Sequence, residues 1–161
     1  MDIFSHYIIY FVVFFLISFV VFFFINQKYK KSRVYSDSEI ELKLRAYERI
    51  ILFIERIEPI GMINRLNLHQ LPIDSIKSQI IKNIILEYEY NLSQQIYITN
   101  ELWYSLVRIK DQTINHVSNI CDNLNKDSKC QDFVSQSVKN KRLYKSYENI
   151  KISIRSEVHK Y

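Results

Sequence analysis

Turn-forming residues are nearly missing from this chain. Of its 161 residues, glycine is one (Gly61) and proline two (Pro59, Pro72). β-Hairpins and barrels need such residues at their tight turns, so their scarcity excludes a β architecture and leaves helices joined by short polar loops. Cysteine occurs twice, at Cys121 and Cys130, with a spacing that matches no common zinc or redox motif. Lysine and arginine, 22 in all, are absent before residue 27. Neither HExxH nor CxxC occurs, and no other catalytic or cofactor motif is found, so no cofactor and no metal is expected.

What is present is unevenly spread. Residues Tyr7 to Ile25 read YIIYFVVFFLISFVVFFFI, without a charge, while the rest of the chain is ordinary and well charged. The split explains a mean hydropathy of only -0.13. As a helix the run spans roughly 28 Å, close to the ~30 Å apolar core of a bilayer. It lacks the positive start and the small-residue cleavage site of a signal peptide. Lys28, Lys30, Lys31 and Arg33 crowd its C-terminal flank and only Asp2 precedes it. The positive-inside rule then predicts residues 1–6 outside, a transmembrane helix over 7–25, a basic juxtamembrane segment over 26–35, and a cytoplasmic domain over 36–161. The expected location is a bacterial inner membrane. There both cysteines are expected as free thiols. No GxxxG face suggests dimerisation within the membrane.

The domain reads as a bundle of four to five helices, so the fold class is all-α. In 36–57, Ile40, Leu44, Tyr47, Ile51 and Ile54 recur at helical spacing, with Ile50, Phe53 and Ile57 as a second stripe. Pro59 and Gly61 are expected to end this helix. Residues 62–71 read as a connection with some helical turn. Pro72 and Asp74 open a second helix carrying Ile76, Ile80, Ile84 and Tyr88 to about Gln95. Residues 95–99 read as a break, and Thr99 as the cap of a third helix through Leu124. After a polar loop, with Asp127 or Ser128 as cap, a short helix is expected to bury Phe133 and Val138. A last helix buries Leu143, Tyr147, Ile150, Ile154 and Val158. The tail from Lys139 to Lys160 has seven basic residues against Glu148 and Glu157.

Two stretches carry a resemblance. LRAYERIILFIERIEP (44–59), and EYEYNLSQQIYIT (87–99) with Trp103 shortly after, resemble a family of small uncharacterised Bacteroidota proteins. Those proteins have an N-terminal anchor, an AYERLxLFLERIxP helix and an ExEHNLxQQxYxS…W segment. The match covers about half of the chain after the anchor, and Tyr90 stands where the family pattern has His. The resemblance implies the localisation and the helical fold, and no activity.

Glu48-Arg49 and Glu55-Arg56 repeat seven residues apart, so two helical turns return each pair to nearly the same face. With Asn91, Gln94, Gln95 and Tyr97 they form a candidate polar seam, either tying two helices together or offering a docking place to a partner. Glu87 and Glu89 point apart on a helix and lack a nucleophile or oxyanion donor beside them. His69, His116, Cys121 and Cys130 do not share a ligand spacing. Trp103 with Tyr88, Tyr90, Tyr97 and Tyr104 reads as helix–helix contact ahead of a base-stacking surface.

The expected function is a non-enzymatic, membrane-tethered scaffold or adaptor acting on a protein partner or as a homo-oligomer. With a net charge of +5, the alternative is a basic membrane-proximal module that binds nucleic acid or anionic lipid.

Overall fold

The computed structural model describes the backbone of residues 2–125 and 127–159, and the side chains of residues 11–24, 37–125 and 127–159. Among the described residues there are seven helices and no strand. They are α1 (Asp2–Arg56), α2 (Pro59–Arg65), α3 (Ile73–Asn91), a 3-10 turn (Leu92–Ile96), α4 (Asn100–Asn123), α5 (Cys130–Ser137) and α6 (Lys141–Val158). The chain divides into two compact units, Met1–Glu41 and Leu42–Tyr161.

In the first unit, every side chain from Phe11 to Phe24 is exposed. Among the described residues no helix is long and apolar enough to cross a membrane. The transmembrane helix expected over 7–25 therefore goes beyond what the fold itself carries. Its side chains are described only from Phe11 to Phe24, and those of Lys28, Lys30, Lys31 and Arg33 lie outside the described residues.

The second unit is built around α4, which packs on α3, α5 and α6. One face of α4 buries Leu102, Leu106, Ile109, Thr113, Val117, Ile120 and Cys121, a run at three-four spacing. Into this core α3 sends Ile73, Ile76, Ile80 and Ile84, and α6 sends Leu143, Tyr147, Ile150 and Ile154. The last turns of α1 add Ala46, Tyr47, Ile50, Phe53 and Ile54, and Ile57 follows just past the helix end. Both apolar stripes expected there contribute, and Ile51 lies at their edge, half-buried.

Pro59 does end α1, but Gly61 ends nothing. It lies in the first turn of α2, whose N-cap is Glu58. The Glu58 carboxylate accepts the Ile60 N–H at 3.1 Å and the Gly61 N–H. A Cβ at position 61 would lie 2.9 Å from Glu58 Oε2, so the single glycine makes room for the capping carboxylate. The left-handed residue that closes α2 is instead Asn67, with φ 54°, next to the Leu68 N–H to Ile63 carbonyl bond of 3.0 Å.

Thr99 caps α4 as expected, accepting the Leu102 N–H at 3.3 Å. The cap of α5 is Lys129 and not Asp127 or Ser128; its N–H is held by Asp132 at 2.8 Å. Val138 is 52% exposed, against the expected burial. It is five residues from Phe133, so on a helix the two face nearly opposite ways, and Phe133 takes the core.

Candidate functional site

The candidate seam is brought together only in part. Arg49 and Arg56 leave α1 two turns apart and meet the last turns of α3. There they form a shallow groove of about 270 Å³ with Leu52, Phe53, Glu87, Tyr90 and Asn91. The Tyr90 carbonyl belongs to the C-terminal turn of α3, where carbonyls lack helical partners and the dipole favours a cation. Arg49 Nη2 donates to it at 3.1 Å, and the guanidinium also lies 4.7 Å from the Tyr90 ring centroid. Arg56 Nη1 sits 3.4 Å from Glu87 Oε1, with the Arg56 side chain half exposed. In water-facing geometry such a pair contributes little stability, about 1 kcal/mol or less. Buried Asn91 donates to the Glu87 carbonyl at 2.8 Å.

The remaining seam residues go elsewhere. Glu48 is exposed. Glu55 faces α6 and pairs with Lys151 at 2.6 Å. Gln94 is buried and donates to Ser93 at 2.8 Å, Gln95 is exposed, and Tyr97 packs half-buried against the core. The sevenfold repeat aligned both pairs on α1, but adjacent residues diverge by about 100° around a helix. Each Arg therefore turns to α3, while Glu55 turns to α6.

Tyr88 is held within the bundle. Its ring stacks on Trp103 at 5.6 Å, meets Phe53 at 6.3 Å, and carries Lys110 Nζ at 4.5 Å from its centroid. Of the aromatics expected near Trp103, Tyr90 and Tyr104 face outward, each 68% exposed. Burial pushes the Cys121 thiol up to about 11, and also raises Cys130. Both thiols stay protonated and unreactive at neutral pH. Among the described residues no group of three or more His, Cys, Asp or Glu side chains gathers as metal ligands do.

A second polar cluster had no signal in residue spacing, because its members come from four different places in the chain. His116 on α4 meets Asn140 at 3.1 Å through Nδ1 and Ser137 Oγ at 3.4 Å through Nε2. Ser137 continues to the Tyr144 hydroxyl at 3.4 Å, which donates to Glu58 Oε1 at 3.0 Å. Burial pushes the Tyr144 phenol up to about 12. Beside it, the buried Tyr147 hydroxyl bonds Thr113 Oγ1, and Thr113 donates onward to the Ile109 carbonyl at 2.7 Å. His116 opens onto a polar groove of about 360 Å³, which Gln112, Asn115, Asn119, Arg142 and Ser146 also line.

No curated protein and no solved structure matches this chain. The chain belongs to a family of unknown function (DUF7935), whose match covers residues 1–161.

Proposed function

We propose that this DUF7935 protein is a non-enzymatic scaffold or adaptor, tethered to the cytoplasmic membrane of a bacterium through residues 7–25. In this reading the N-terminus lies outside, and the Leu42–Tyr161 bundle works in the cytoplasm through contacts with a protein partner or a second copy of itself. The tether is supported by the charge-free run with exposed side chains from Phe11 to Phe24, which water solvates poorly, and by the basic residues that follow it.

The observation that carries the scaffold reading is the exposed apolar surface at the Arg49–Glu87 groove and on the turn that follows α3. Leu52 is 52% exposed and lines the groove with exposed Tyr90, and Leu92 and Ile96 are exposed on the 3-10 turn that follows α3. Exposed apolar residues gathered beside ordered polar pairs are typical of protein-binding surfaces.

The test is purification of the full-length protein from native membranes in mild detergent, with and without nuclease. The expected result is a stoichiometric protein, or a second copy, that survives nuclease and is lost with Leu52→Glu or Ile96→Glu. A monomer without a partner overturns the reading. Nucleic acid that co-purifies and takes all protein with it on digestion moves the basic-module alternative into first place.

A further inference from the structure

The hydrogen bonds around His116 assign a direction to every proton. Asn140 caps α6 with its side-chain oxygen, which accepts the Leu143 N–H at 3.0 Å. That orientation turns the Asn140 amide nitrogen, a donor only, toward His116 Nδ1. Nδ1 must then be the unprotonated ring nitrogen, and Nε2 carries the hydrogen toward Ser137. The imidazole is therefore held neutral by its partners, and one amide group serves two helices at once: it grips α4 with its nitrogen and caps α6 with its oxygen.

We propose that His116 and Asn140 form an acid-sensitive latch between α4 and the N-terminal turn of α6. A proton arriving from solvent at Nδ1 makes that nitrogen a donor facing a donor. Keeping the Asn140 orientation breaks the bond to α4. Flipping the amide restores that bond but turns its NH₂ toward the Leu143 N–H, and the side-chain cap of α6 is lost. Either outcome loosens the junction, and the polar groove beside His116 changes with it.

The surroundings oppose the proton. Gln112, Asn115 and Asn119, the groove residues on α4 itself, are uncharged, and Arg142 of α6 lines the same groove with a like charge. On the α5 side the contact is the Ser137 hydroxyl, and the first carboxylate, Glu58, lies beyond both Ser137 and Tyr144. Burial lowers the His116 affinity for a proton below the ordinary histidine value, only partly offset by hydrogen bonding at the Ser137 backbone. With the folded value depressed, the unfolded chain binds more protons below about pH 6.5. The contribution of this site to stability is thus complete above that pH and is lost as pH falls from there through the depressed folded value.

The test uses the full chain in detergent micelles, with amide hydrogen exchange at Leu143 and Tyr144 read at about pH 7.5 and about pH 5, either side of the ordinary histidine value. After correction for the intrinsic exchange rate, protection is expected to drop at the acid pH by roughly tenfold. His116→Gln should remove the pH dependence. Asn140→Asp supplies an acceptor to both the protonated ring and the Leu143 N–H, so it should invert it, with the junction tighter in acid. Equal protection at both pH values in the unsubstituted chain overturns the proposal. So does an acid loss that persists in His116→Gln, or an Asn140→Asp chain that still loosens in acid.

Discussion

Tyr147 shows how much a single hydroxyl does in this bundle. It is 3% exposed, and because Thr113 donates to the Ile109 carbonyl, the Tyr147 hydrogen is left to the close Thr113 Oγ1, with the Ile57 carbonyl a second acceptor at 3.4 Å. Burial drives its phenol far above the ordinary tyrosine range, so it stays a donor at every working pH. Tyr147→Phe and Thr113→Val are each expected to lower unfolding stability by about 1–2 kcal/mol. The double variant should cost less than the two together, because both remove one shared bond. Denaturant titration of the four chains measures this directly, and strict additivity would show that the hydroxyls are not coupled. Gly61 is the contrasting residue. In the sequence it reads as a helix stop, whereas its role is to admit the Glu58 carboxylate, a relation between side chain and backbone that letter spacing does not encode.

At the scale of the element, the legible part was periodicity. The buried faces of α3, α4 and α6 follow the three-four recurrence of Ile, Leu and Val, and Thr99 announces its helix by residue type and position. Less legible were the short pieces. α2 spans barely two turns, too few for a period to register, and its cap is a glutamate, outside the favoured Ser, Thr, Asp and Asn set. For α5 the residue types favour burial of both Phe133 and Val138, and a helix of eight residues is too short for its period to expose the conflict between them. The two residues give a sharp contrast by experiment. Phe133→Ala should destabilise the chain by about 3–5 kcal/mol, as a fully buried aromatic does. Val138→Ala should change stability by no more than about 0.5 kcal/mol. A large effect at Val138 would mean that α5 is rotated from the orientation described.

For the whole molecule, the two compact units separate two kinds of chemistry. The segment 11–24 exposes its apolar side chains, whereas Leu42–Tyr161 encloses a core of its own. The all-helical class followed from the missing turn residues. The polar seam followed only in part, because Arg49 and Arg56 turn to α3 while Glu55 turns to α6. The His116 cluster did not follow at all, since its members meet only where α4, α5, α6 and the N-cap of α2 come together. If residues 7–25 are the tether, the full chain should remain in the membrane pellet after alkaline carbonate washing. A chain beginning at Leu42 should move to the supernatant while keeping its helical circular dichroism. Release of the full chain by carbonate would remove the tether from the proposal and leave the bundle untouched.

Trp103 is the single tryptophan of the chain, and it is stacked on Tyr88 where α3 meets α4. The intrinsic tryptophan emission of the protein therefore comes from one address. Along α4 that address lies roughly 20 Å from His116, at 1.5 Å per residue. Light from this protein reports on the seam between its two longest bundle helices and is blind to the far end of α4, so a change there proceeds in the dark unless a second probe is set beside it.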